Sequence, residues 1–464
     1  MWDVIVIGAG IGGVTCGAVL AKSGKKVLLL EKRARVGGRA TSVDREGLKI
    51  DYGTHLITAN GYITRTLKWL GSSLEFHTLD PWAVIVEDGR FTKVPTKIKD
   101  YENFEYMSKS ECAELLDIFR SIGQMSFEEI EEYDSISCWD WMEKHVRSER
   151  VKQFLTFLDN LYLTQDDTAQ LSQGEAFRSL RRNVRNNAWF CYPKAGGAIA
   201  ISQAFADVIT KGGGKVETRT SVREIVVKDG QVQGVIAEGK EGSITEEAPV
   251  VVCNFPIVKL WKFVDSDLFP DWFTEHVALL ERKLREWGIA GIGVTLITSQ
   301  PLYEYASVVV IPAWAKENAC GPRAVKYIWS PSIFSEVGPK GKHYAAYGNI
   351  MSKTYYEFLR KETSVYKNEI DHLEEELLSL FPKFDRNNIL EVRKGMVDWC
   401  DSNMKFPGNS GKQRIDVEAP SVKGLYFAGD MVAGWGVGTD SAACSGVLCS
   451  ERILGTKLKD LQEP

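Results

Sequence analysis

The chain has 464 residues, 44% of them hydrophobic and 26% charged, the make-up of a folded enzyme too long for a single small core. A net charge of −5 and a pI of about 5.9 exclude the basic face that nucleic acid selects. Nine cysteines without a CxxC pair and six histidines without HxxxH spacing signal no zinc site and no redox dithiol, so no metal is expected, and reduced thiols suit a cytoplasmic setting.

In chain order, Asp3–Ile7 reads as a short strand, Gly8–Gly13 as a turn, Ile11–Ser23 as a small-residue helix closed by Gly24, and Lys26–Glu31 as a second, doubly covered strand. Val4–Ala21 is uncharged and long enough to span a membrane, but its five glycines cluster where a strand turns into a helix, so it reads as buried strand, turn and helix. Pro81–Phe91 is a hairpin about Asp88-Gly89. Residues 108–185 are helical and charge-rich, with Ser137 as an N-cap. A helix over Ala198–Thr210 and a strand over Lys215–Thr218 follow, then a hairpin about Asp229-Gly230 and an apolar strand, Val250–Cys253. Ile289–Thr298 is a strand, and Tyr355–Phe381 holds one or two helices. The chain closes with a strand over Leu425–Ala428, a glycine-rich turn and a small-residue helix to Leu454. Two kinds of segment alternate, which implies two discontinuous domains.

Gly8-Ala9-Gly10-Ile11-Gly12-Gly13 follows a strand and opens a helix, and Glu31 lies 21 residues after Gly10. Gly8 permits the turn, Gly10 lets backbone approach a diphosphate, and Gly13 lets helix and strand pack closely. The helix N-terminus offers N–H groups to the phosphates, and Glu31 can accept from ribose hydroxyls. NAD and FAD both use this fingerprint. The next segment, Arg35-Val36-Gly37-Gly38-Arg39-Ala40-Thr41-Ser42, has paired glycines for close backbone approach and arginines to neutralise phosphate.

This R-x-G-G-R-x-x-S pattern resembles the second glycine motif of the flavin amine oxidase/phytoene desaturase superfamily. Asp51-Tyr52-Gly53, Tyr192-Pro193 with Gly196-Gly197, Ser221-Val222 with Ile225, Val250–Pro256 and Leu425-Tyr426-Phe427-Ala428-Gly429-Asp430 resemble that family's later motifs in order. The resemblance implies an α/β fold, with a Rossmann-type FAD-binding domain (1–60, 190–256 and 395–464) interleaved with a mixed α+β substrate domain (61–189 and 257–394). It implies FAD as cofactor, held by Gly8, Gly10, Ile11, Gly12, Gly13, Glu31 and Lys32, by Arg35, Gly37, Gly38, Arg39 and Ala40, by Gly53, Thr54, His55 and Val222, and by Gly429, Asp430, Gly438, Thr439 and Asp440. Asp430 would approach the ribityl chain, and the helix from Thr439 or Asp440 would aim its N-terminus at the flavin ring; Asp440 and Ser441 are also good caps for any helix.

For the substrate half, the strand around Gly288–Val294 lacks the lysine that the family's amine oxidases carry near the flavin, and the aromatic position before the last helix falls on Gly438. Both departures suit the phytoene desaturase/carotenoid isomerase branch. The reading is hydride transfer between a substrate C–H and the flavin, on a small apolar substrate, with an unidentified electron acceptor. A flavin amine oxidase with an altered aromatic cage, and a non-redox isomerase or escort protein on the same fold, are the alternatives. Trp435, Trp399 and Tyr192 are candidates to line the pocket, with Trp435 and His55 the candidate catalytic groups and Asp401 and Glu281 weaker ones. The branch also implies peripheral membrane contact, although the sequence shows no basic amphipathic helix; Trp261 and Asp271-Trp272-Phe273 are candidates for an apolar entrance.

Overall fold

The computed structural model describes residues 1–53, 56–163, 167–319, 325–400 and 402–461. Val4–Ile7 and Val27–Glu31 are buried along their whole length, so each must be covered on both faces, and they lie at the heart of a five-stranded parallel sheet. Its order is Lys215–Thr218, Val27–Glu31, Val4–Ile7, Val251–Cys253 and Leu425–Phe427. The first helix, Ile11–Lys22, packs against Ile199–Lys211 and against the last helix, Gly438–Leu454. Small residues allow the close approach: a methyl group on Gly446 would sit 2.5 Å from the Gly12 carbonyl oxygen. This is the expected Rossmann-type arrangement, assembled from three separate stretches of chain.

A second, seven-stranded sheet runs Ile389–Val397, Gly288–Thr298, His343–Ser352, Lys326–Trp329, Val308–Ile311, Ala83–Glu87 and Arg90–Val94. Ala290, Ile292, Val294 and Leu296 alternate onto one face, where Leu373 and Leu377 of helix Thr363–Ser379 share their core. The hairpins at Asp88-Gly89 and Asp229-Gly230 form as expected, with positive φ at both turn residues of each.

Two features depart from the sequence reading. The arginine-glycine segment runs directly into an antiparallel ladder of Ala40–Arg45 with Leu48–Gly53, which no periodicity announced. Helix Gln173–Asn186 is rich in charge yet almost wholly buried: Glu175, Arg178, Arg181 and Arg182 are all inside. Buried charge survives only when paired. Here Arg178 makes a two-pronged ion pair with Asp134 at 2.5 and 2.8 Å, and Lys405 pairs with Glu175 at 3.0 Å. Burial alone would raise the Glu175 carboxyl, but Lys405, Arg178 and Arg414 hold it down to about 2. Among the described residues no helix is long and apolar enough to cross a membrane.

Candidate functional site

A cleft of about 280 Å³ opens at the C-terminal ends of the parallel strands. Its floor is the turn from Val4–Ile7 into the first helix. Gly8 has φ +99°, and a methyl group there would meet the Asn254 carbonyl oxygen at 2.6 Å. Gly10 is the helix N-cap and offers no side chain to the free N–H groups; no acid lies in the first turn. The N-terminus therefore keeps its N–H groups and partial positive charge for a ligand. Gly37 N–H donates to the Ala9 carbonyl at 2.7 Å, which lays the second glycine segment across the first. Gly38 (φ +59°) comes so near that a methyl group on it would lie 3.1 Å from Gly10 Cα.

Glu31 ends its strand inside the cleft. It accepts from Ala9 N–H at 2.8 Å and Arg33 N–H at 2.7 Å, which fixes the carboxylate while leaving lone pairs for ribose hydroxyls. Lys32, Arg33, Arg39 and Lys259 make the walls cationic. Lys259 stands 4.3 Å from the centre of the Trp399 ring, and burial together with Lys32, Lys262, Arg39 and Arg33 lowers its pKa. A bound diphosphate would relieve that crowding of like charge. Arg39 forks onto both Asp430 oxygens at 2.9 Å, and Ser402 bridges the two, accepting from Arg39 at 2.7 Å and donating to Asp430 at 2.9 Å. At the far end the last helix begins at Gly438 with no side-chain cap, and Gly438, Thr439 and Ala442 face the cleft. A glycine cradle, a ribose-binding acid, cationic walls and a second helix N-terminus fit FAD, diphosphate at one helix and flavin toward the other.

The cleft brings together Gly8, Gly10, Ile11, Gly12, Glu31, Lys32, Gly37, Gly38, Arg39, Ala40, Val222, Gly429, Asp430, Gly438 and Thr439. Gly13 and Gly53 lie behind its wall: a methyl group would meet the Gly8 carbonyl oxygen at 2.3 Å or the Arg39 carbonyl oxygen at 1.7 Å. Arg35 is half-buried outside the lining. Asp440 does not face the cleft, because its carboxylate turns to Arg182 and accepts from Ile63 N–H. Trp435 is also turned away, packed against Tyr62 and Phe127 with ring centres 5.9 and 5.6 Å apart, whereas Trp399 lines the cleft. Tyr192 is buried in the core and donates its hydroxyl to Asp51. Glu281 is an exposed partner of Arg285. Thr54, His55 and Asp401 lie outside the described residues.

Sequence reasoning missed three residues. Asn254 donates from Nδ2 to the Gly8 carbonyl at 2.9 Å and props the glycine turn from beneath; its signal was a short amide ending an apolar strand. Ser402 and Lys259 belong to no motif and reach the cleft only through tertiary structure.

A family model, flavin containing amine oxidoreductase, matches residues 11–454. A chloroplastic prolycopene isomerase of Daucus carota is 22% identical over 97% of this chain and 80% of its own length. An all-trans-retinol 13,14-reductase of Danio rerio is 26% identical over 56% of this chain and 49% of its own. The crystal structure of an oxidoreductase from Methanosarcina mazei superposes with a TM-score of 0.74 at 20% identity, covering 98% of this chain and 100% of that one, and so has the same fold. With the model spanning nearly the whole sequence and the cleft built for a dinucleotide, the chain belongs to the flavin containing amine oxidoreductase family and is an FAD-dependent oxidoreductase.

Proposed function

We propose that this protein desaturates or saturates a C–C bond in an apolar, alkene-containing substrate, with FAD as its redox group. Bound FAD supplies the two-electron chemistry, exchanging hydride with a carbon centre. The chain's own residues bind and orient it. The N–H groups at the head of Ile11–Lys22 would hold the diphosphate and Glu31 the ribose, and Thr439, Met431 and Trp399 would bound the ring. Phe255, Phe263, Trp399, Met431 and Val432 keep much of the cleft apolar, so water is disfavoured there.

The observation that carries the reading is that, among the described residues lining the cleft, the acid Asp430 is committed to Arg39 and the ring of Trp399 to Lys259. Strand Gly288–Thr298 holds no lysine, and the Trp435 ring is committed to Tyr62 and Phe127. An ammonium group would meet the cations Arg39 and Lys259 in this cleft, whereas an apolar chain needs only a dry wall. The isomerase and reductase relatives are named for polyene-type compounds, which supports the same substrate class.

The test is anaerobic absorbance of the FAD-loaded protein. A long-chain polyene should bleach the oxidised flavin band or, added to dithionite-reduced protein, restore it. Hydrogen peroxide release from a panel of amines, with no response to any polyene, would overturn the proposal.

A further inference from the structure

The segment from Asp430 to Asp440 delivers the last helix to the cleft, and three buried cations from elsewhere hold it. Arg414 donates to the carbonyls of Asp430 and Gly434. Lys405, fully buried, donates to the Gly436 carbonyl at 2.7 Å. Arg182, on the polar helix Gln173–Asn186, pairs with Asp440, whose other oxygen accepts from Ile63 N–H at 3.1 Å. Arg182 is 4% exposed and Asp440 0%, and the guanidinium stands 5.3 Å from the Tyr62 ring centre. A methyl group on Gly436 would lie 2.9 Å from both partners of the pair, so the loop is glycine where they meet.

Asp440 sits in the first turn of a helix whose N-terminus faces the ring end of the cleft. A carboxylate there favours the helix but opposes any negative charge the N-terminus would stabilise in a ligand. In a dry setting that opposition is strong unless a cation answers it. The geometry points to Arg182 as a positioning residue for the redox group: by holding and neutralising Asp440 it leaves the N-terminus of the last helix free to stabilise negative charge on the bound flavin. The inference rests on the assignment of FAD to this cleft and is independent of the substrate.

The experiment is an anaerobic dye-equilibration titration of FAD-loaded protein without substrate. Arg182→Met should shift the reduced-to-oxidised equilibrium at least tenfold toward oxidised flavin, about 30 mV for a two-electron couple. Arg182→Lys should stay within threefold of wild type. Arg182→Met with Asp440→Asn should return to within threefold, because charge is then removed in a balanced pair. A purely structural role would lower stability in both neutralised variants and leave the potential alone. If Arg182→Met does not fold or load FAD, Asp440→Asn carries the test, with a shift of similar size toward reduced flavin. An unchanged equilibrium in loaded Arg182→Met, a double variant no nearer wild type than the single one, or an unmoved Asp440→Asn overturns the inference. A wrong substrate class would show in the polyene assay and leave this titration unaffected; a wild-type protein that takes up no FAD overturns both.

Discussion

Replacing Gly13 with alanine would put a methyl carbon 2.3 Å from the Gly8 carbonyl oxygen, 2.7 Å from Asn254 Nδ2 and 2.9 Å from Asn254 Cβ. The nearest of these is backbone, so no side-chain rotation relieves it. An ordinary contact needs about 1 Å more room, and the helix has to withdraw from the strand to provide it. Overpacking of this kind costs about 1–3 kcal/mol, offset by about 0.5–1 kcal/mol because alanine suits a helix better than glycine. The larger effect falls on the ligand. The same movement carries the N–H groups of the first turn off the diphosphate, and one lost hydrogen bond to a charged group is worth about 1.5–3 kcal/mol, roughly 10- to 100-fold in affinity. Gly24→Ala is the control: its φ is positive (+84°), unlike that of the helical Gly13, and nothing lies within 4 Å of the added carbon, so it should cost only local strain of about 1–2 kcal/mol. FAD affinity would be read from quenching of its fluorescence, and stability of the apoprotein from urea unfolding. Gly13→Ala protein that binds FAD within threefold of wild type would refute the close-approach argument.

Three further outcomes are expected. Asp159 is fully buried beside Cys138, and burial pushes its carboxyl up to about 8. The folded state then holds a proton that the unfolded chain releases near pH 4, so stability falls as pH rises from about 4 to 8 at up to about 1.4 kcal/mol per pH unit, and Asp159→Asn should abolish that slope in unfolding curves. Glu175 works in the opposite sense: held down to about 2, it contributes stability above about pH 4.5 that is lost as pH falls toward 2, and Glu175→Gln should flatten the acid limb of the same curves. Trp435→Phe keeps the rings against Tyr62 and Phe127 and removes an indole N–H that has no partner among the described residues, so the flavin spectrum and FAD affinity should not change; a shifted spectrum would return Trp435 to the site.

The first 31 residues were legible because their constraints are local. A turn that needs Gly8, a helix that begins at Gly10 and an acid that ends the next strand are all written within one short span. Both hairpins were equally plain, since Asp-Gly pairs specify their own backbone. The polar helix was not legible as buried, because the partners that make its burial tolerable stand far away in sequence: 44 residues separate Arg178 from Asp134, and 258 separate Arg182 from Asp440. Trp399 and Trp435 show the same limit. Both are tryptophans near cofactor motifs, and only the direction each ring takes from its surroundings puts one in the cleft and the other in a packed cluster. Asp440 was read toward the cofactor from the family resemblance and its place at the head of the last helix, and its actual partner comes from a helix that no motif marks.

The cleft draws its walls from residues 7–40, 220–263 and 399–442. During synthesis the glycine turn is therefore made hundreds of residues before the strand and helix that complete its far wall. Until Leu425–Phe427 takes its place at the sheet edge, Val251–Cys253 has an unpaired side and the first helix an uncovered apolar face. An arrangement so dominated by distant contacts folds slowly and leaves that surface open to wrong partners meanwhile. FAD that bridges the early and late segments would act as a closing clasp, so the supply of flavin should govern how much of the newly made chain survives as folded protein.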